Sequence, residues 1–394
     1  MRSNQRCICA ARAGQTYYPP GKGPFVNRKM RVGVVWSALL LSVASTIAIG
    51  SAGASSALPA RQAAAAKAAT IPAAACARNK AVGPITFVSP FGFDASVGIL
   101  DVFAAESLGY FATECLTVHF VTSSYVGNEL VSSGAATITG EGSAADTMVD
   151  VANGSKFVGI STFGDVSDYA ILTRKSITNL RELQGKILGY HAPIPVVLTE
   201  MLQAAHVNIS KVEEVNDTSY DPTLLIHGRF DGLQAYQSNE PLTLQADGDK
   251  FNEFLPSSFG VDGTFNVQVV NQKFLAAHAA VVADFLRAEL HAFDYCSTHV
   301  ATCINDEATD ARAAGVPYEV AHETAEWKFE VTLVMDHTLL GKGVGTETRG
   351  EWAPERAAVV KAGLAKSSAI PTSVEDPSLV PQLYSGQTLI WPGK

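Results

Sequence analysis

The chain has 394 residues and a formal net charge of −9, with 47% hydrophobic and 17% charged residues. That length suffices for two domains of ordinary size, each with its own core. The acidic balance argues against a nucleic-acid partner, whose phosphates need a basic face.

At the N-terminus, Arg28-Lys29-Met30-Arg31 precedes an apolar run from Val32 to Ile49, and small residues follow from Gly50 to Ala57. A positive start, an apolar middle and an Ala-x-Ala-type end describe a secretory signal peptide. A retained membrane anchor is the alternative, but the run barely reaches the ~20 residues a span requires. Cleavage is expected near Ala54 or Ala57, with the protein exported to the periplasm or the outer face of the cell membrane. Met30 is an alternative start. Residues 58–82 are Ala-rich, carry Pro59 and Pro72, and predict a disordered tether.

Four of the six cysteines lie beyond the signal: Cys76, Cys115, Cys296 and Cys303. An even number in an exported chain favours disulfides. Cys296 and Cys303 flank a short polar loop and are paired; Cys76 with Cys115 follows by elimination. Ala73-Ala74-Ala75-Cys76 faintly resembles a lipid-attachment site, a reading ranked below the disulfide. No Cys-x-x-Cys or paired-His spacing points to a metal.

The fold is expected to begin near Gly83-Pro84. Strands are predicted over 85–88, 116–121, 136–139 and 157–160, with helices over 98–108 and 129–133 and a third after Gly140-Glu141-Gly142-Ser143. Thr178–His191 reads as a short amphipathic turn closed by Gly185, then a strand, and opens a second lobe. There, strands over 186–190, 212–215 and 230–236 alternate with helices over 195–206 and 222–227. Phe265–Val270 reads as a returning strand. Helical pattern follows over 274–295, 318–329 and 354–364. Such alternation implies an α/β architecture of mainly parallel sheets flanked by helices, with ligands at the carboxyl ends of the strands.

Several phrases together resemble a known family. Ala104-Ala105-Glu106-Ser107-Leu108-Gly109-Tyr110-Phe111 with Leu116-Thr117-Val118, Leu183-Gln184-Gly185-Lys186, Gly228-Arg229-Phe230-Asp231-Gly232 and Ser238-Asn239-Glu240-Pro241 occur in order. They are similar to the periplasmic substrate-binding proteins of ABC importers for sulfonates, nitrate and thiamine-precursor pyrimidines. The resemblance runs from about Pro84 to the C-terminal helices. Cys115 stands where that family usually has Gly, and the stretch after Pro371 has no counterpart.

The resemblance implies a two-lobed periplasmic-binding-protein (type II) fold. Lobe one is expected over 83–174 and 267–370, lobe two over 175–266, with a C-terminal extension over 371–394. The crossings are expected near Leu172–Ser176 and Phe265–Asn271. It further implies a monomeric, non-enzymatic clamp, membrane-associated through an ABC permease and its ATPase, and no cofactor. The expected ligand is an aminopyrimidine ahead of a sulfonate, because the predicted loops offer few Lys or Arg.

Within the loops after the strands, Phe91, Tyr125 and Tyr236 are the aromatic candidates for stacking on a flat ring, with Phe93 beside them. Asp94, Asn239 and Glu240 are candidates for ring amines, and His191 for a loop contact. Gly140, Gly142 and Ser143 offer close backbone approach and helix N–H groups, which favour an anion or an acceptor atom; Glu141 counts against an anion. The expected fold lacks a Gly-x-Ser-x-Gly, a His-Glu-x-x-His and a P-loop.

Overall fold

The computed structural model describes residues 71–122, 126–191 and 194–394. The expected signal peptide over 1–57, the tether up to residue 70 and Tyr125 lie outside the described residues.

Ten strands form two five-stranded sheets. In chain order they are β1 Ile85–Val88, β2 Val118–Val121, β3 Ile138–Glu141, β4 Phe157–Gly164, β5 Tyr169–Arg174, β6 Ile187–Tyr190, β7 Glu213–Asn216, β8 Gly232–Tyr236, β9 Phe251–Phe254 and β10 Phe265–Asn271. Sheet one has the order β2-β1-β3-β10-β4, and sheet two has β7-β6-β8-β5-β9. In each sheet the first three strands are parallel and the fourth is antiparallel. That fourth strand, β10 or β5, is the one entered directly from the other lobe. It starts at the cleft and runs away from it, whereas the parallel strands end there.

The crossings are therefore at 165–168, between β4 and β5, and at 255–264, between β9 and β10. Both precede the expected positions, so lobe two begins at Tyr169 rather than residue 175. Tyr169–Arg174 is an internal strand of sheet two. β10 lies wholly in sheet one.

Each sheet is covered on both faces, as alternation along the strands dictates. Phe87 packs with Leu100, Phe111, Phe285 and Trp327 on one side of sheet one. Its neighbour Val88 packs with Met148, Val267 and Trp352 on the other. In sheet two Ile171 joins Leu188, Leu198 and Met201, while Leu172 joins Leu225, Leu233 and Leu244. The helix Gln272–Thr298 presents Val282, Phe285, Leu286, Glu289, Leu290 and Phe293 to lobe one at helical spacing. Asn271 caps it by accepting from Lys273 N and Phe274 N, both at 3.0 Å.

Both cysteine pairs are disulfides. Cys303 lies on a helix, Val300–Ala314, so its bond to Cys296 staples two successive helices rather than a loop. Cys76 lies on the helix Ala73–Val82, where the sequence predicts a tether. Asn79 on that helix is 1% exposed and donates to Glu114 O at 2.7 Å and Asp284 Oδ2 at 2.9 Å. Those contacts, with the disulfide to Cys115, hold a segment whose composition alone gives it little to bury.

The segment 371–394 packs on lobe one. Gly159 N of β4 donates to Val374 O at 2.9 Å, and Asp376 N donates to Gly159 O at 2.8 Å. β4 is an edge strand by sheet order, yet all eight of its residues are buried. The extension covers that edge. Trp391 stacks on His291 at 4.2 Å, and Gly393 N donates to Glu114 Oε1 at 2.7 Å. Among the described residues no helix is long and apolar enough to cross a membrane.

Candidate functional site

The carboxyl ends of β1 and β3, the start of β10 and the facing edge of lobe two enclose a cavity of about 650 Å³. Lobe one contributes Phe91, Glu141, Asp146, Asp150 and Gln268. Lobe two contributes Tyr169, Tyr236 and Ile194–Val196. A smaller chamber of about 240 Å³ lies toward the crossings, lined by Asp94, Ser96, Ser238, Asn239, Glu240, Glu326 and Glu330 among others. Phe91 and Tyr236 line both spaces. Their rings meet edge-to-face at 5.9 Å. They form a partition between the two chambers rather than two parallel faces of a slot.

The lobes touch through specific groups. Tyr236 OH donates to Tyr169 OH at 3.2 Å, and Tyr169 OH lies 3.5 Å from Asp146 Oδ2. Asp146 Oδ1 accepts from Val196 N, at the start of a lobe-two helix, at 3.3 Å. A Cβ on Gly142 would sit 2.1 Å from Tyr169 OH, so glycine there is what lets the lobe-two tyrosine approach. At the crossings, Ser238 Oγ lies 2.7 Å from Asp168 Oδ2 and 2.9 Å from Glu330 Oε1. Glu330 also accepts from Val97 N at 2.6 Å. It sits on the helix Val320–His337, which thereby binds both lobes.

Six backbone donors near this region are held by the protein's own oxygens. At the helix after β3, Ala144 N donates to Thr264 Oγ1 at 2.8 Å, Ala145 N to Glu355 Oε2 at 2.9 Å and Asp146 N to Ser143 Oγ at 3.1 Å. After β1, Ala95 N donates to Glu323 Oε2 and Gly98 N to Asp101 Oδ1, each at 2.8 Å. In lobe two, Tyr236 N donates to Glu240 Oε2 at 2.8 Å. A helix N-terminus is a ready anion seat only while its N–H groups are free. At the helix after β3, a carboxylate and two hydroxyls of the chain occupy those seats.

The electrostatics follow from burial. Desolvation raises Glu141 well above the ordinary carboxylate range, and Asp150 and Asp146 beside it add to the shift. Burial also raises Asp146 and Asp150. It pushes Glu240 to about 7 and Asp94 to about 6. No Lys or Arg is among the described residues lining either chamber. Among the described residues no group of three or more His, Cys, Asp or Glu is placed to hold a metal ion.

A family model described as NMT1/THI5 like matches residues 97–301. The chain belongs to the NMT1/THI5-like family. Solved structures agree on the fold. The ligand-binding component of an ABC-type import system from Staphylococcus aureus, with zinc bound, is 13% identical. It superposes with a TM-score of 0.55 over 75% of this chain and 97% of that one. The periplasmic aliphatic sulphonate-binding protein SsuA from Escherichia coli is 12% identical, with a TM-score of 0.54 over 79% and 96%. The desulfurization enzyme DSZB is 12% identical, with a TM-score of 0.51 over 76% and 98%. At these identities the likeness establishes the two-lobed periplasmic-binding-protein fold. No functionally curated protein matches the chain by sequence.

In this NMT1/THI5-like chain the predicted residues divide clearly. Phe91, Gly140, Gly142 and Tyr236 line the large cavity, and Asp94, Asn239 and Glu240 line the small chamber. Three lie elsewhere. Phe93 packs on Phe103 at 5.1 Å, because its loop turns the ring back onto lobe one. Ser143 is 1% exposed and caps its helix, so the N–H groups expected to be open are closed. His191 bonds Asp217 O through Nδ1 at 2.8 Å and stacks on Tyr220 at 4.0 Å. Tyr125 is outside the described residues. Sequence reasoning missed Asp146, Asp150, Gln268, Glu326 and Glu330. They sit inside helices and a strand, where the pattern gives them no loop signal. An Asp at 146 and 150, one turn apart behind a capping Ser, was the one visible hint of a paired acidic face.

Proposed function

We propose that the chain is the exported solute-binding component of an ABC importer, holding a small flat metabolite between its lobes without altering it. A thiamine-precursor aminopyrimidine is favoured over an alkanesulfonate or nitrate. One observation carries the reading: a cleft at the strand ends, walled by Phe91 from one lobe and Tyr169 and Tyr236 from the other, with no basic residue among its described lining. Rings suit a flat heterocycle. An anion would need cations, and the described lining holds none. Family membership and the import-system and sulphonate-binding neighbours support a binding role beside a permease and its ATPase. The same fold also carries a desulfurization enzyme, so the test must look for turnover.

A thermal-shift screen against aminopyrimidines, alkanesulfonates and nitrate tests the proposal. Ligand at a hundred times its Kd stabilises by about 2.7 kcal/mol. An aminopyrimidine should raise the melting temperature and be recovered unchanged. A larger shift with a sulfonate moves the assignment to the alternative ligand. Chemical conversion of the bound compound replaces the binding protein with an enzyme.

A further inference from the structure

The large cavity has a one-sided hydrogen-bonding character. Its side-chain donors are already committed. Asn128 Nδ2 donates to Asp150 Oδ2 at 2.8 Å. Asn266 Nδ2 donates to Ser96 Oγ at 3.1 Å and to Val97 O. Gln268 Nε2 donates to Gly98 O at 2.9 Å and Glu289 Oε1 at 2.7 Å. Thr139 Oγ1 donates to Val88 O at 2.7 Å. The Tyr236 and Tyr169 hydroxyls run in series toward Asp146.

Among the described side chains, what remains is acceptor capacity. Gln268 is 1% exposed, and its Oε1 has no partner among the described residues. Its amide cannot be turned round, because Gly98 O accepts only and would then face another oxygen. Glu141 Oε1 is likewise buried without a partner. Asp146, Asp150 and Glu129 line the same wall. Buried acceptors left unmatched are expensive, and charged ones more so. Among the described residues no group of side chains is arranged to hold a metal ion. An organic cation with several N–H bonds would satisfy these acceptors and draw Glu141, which burial favours protonated, back to its ionised form.

We propose that the cleft selects its ligand by positive charge, taking a small ring-bearing ammonium or amidinium-type cation whose N–H groups meet Glu141, Asp146 and Gln268 Oε1. This rests on the solute-binding reading above and narrows it. The aromatic partition adds to the fit, since a ring face of Phe91, Tyr169 or Tyr236 attracts a cation and also packs against an aromatic body.

The test uses two probes of one shape and opposite sign. Benzylamine, an ammonium at neutral pH, and benzenesulfonate are titrated calorimetrically into the protein. Benzylamine should bind more tightly by on the order of tenfold or more. E141Q should weaken benzylamine several-fold and leave benzenesulfonate no weaker; D150N on the same wall serves if E141Q does not fold. Equal or tighter binding of benzenesulfonate overturns charge selection while leaving a solute-binding role intact. Binding of neither probe overturns both.

Discussion

Glu240 is 5% exposed, and its carboxylate accepts from the backbone of Tyr236 four residues earlier. Burial outweighs that bond and raises its pKa to about 7. The same cause lifts Asp101 to about 7 and Asp168, Glu347 and Glu355 to about 8. All lie above their values in an unfolded chain, near 3.8 for Asp and 4.5 for Glu. The folded chain therefore holds more protons than the unfolded one across this window, and stability falls as pH rises through it. The melting temperature should be higher at about pH 5 than at about pH 8, on the order of 5 °C, several groups contributing together, since each kcal/mol moves a domain of about 150–250 residues by about 2–4 °C and a larger chain by less. A melting curve that rises steadily to pH 8 would contradict the burial seen at these groups. Little of this was legible in sequence. Asp94 and Glu240 stood out because they sit in loops after strands. Glu330 and Asp146 did not, because a carboxylate within a helical pattern reads as a solvated face until a neighbouring lobe closes over it.

Among the elements, the strand pattern gave eight of the ten strands of the two large sheets, since the stretch 157–160 is a short apolar run and Phe265–Asn271 alternates apolar with polar residues. Phe251–Phe254 escaped because an edge strand with Asn and Glu between its phenylalanines carries little of that signal. Tyr169–Arg174 was not read as a strand, and the crossings were misplaced with it: its apolar part, residues 169–172, could belong to either sheet. Disulfides are the elements' strongest local constraint. Cys115 adopts a left-handed φ of 55°, a conformation that favours Gly, and so explains the glycine expected at that position. The Cys76–Cys115 bond closes 39 residues and the Cys296–Cys303 bond closes 7. Loop-closure entropy assigns them about 4 and about 2 kcal/mol. Replacing Cys76 and Cys115 together by Ser should therefore lower unfolding free energy more than the same change at Cys296 and Cys303. Equal losses in denaturant titrations would show that the helix Ala73–Val82 adds nothing beyond its own contacts.

At the scale of the whole molecule, two sheets of identical strand order face one another across a pair of short crossings. Direct contacts span the gap at Asp146 with Val196, Phe91 with Tyr236, and Gly142 with Tyr169. The arrangement described here is one in which the lobes meet. Without ligand, a two-state clamp spreads over more open forms, and a bound solute shifts it back. Saturating the protein with a binding probe should reduce its radius of gyration in solution scattering. An unchanged radius at saturation removes the clamp from the mechanism.

The fastenings of this molecule are unevenly shared. Cys76 bonds to Cys115, and the neighbouring Glu114 receives Gly393 N, while Arg287 donates to Ile390 O at 2.8 Å. All of these sit on lobe one. Any pull arriving through Cys76 is thus borne by a single body, and the other half can swing as a door does on a frame bolted to the wall.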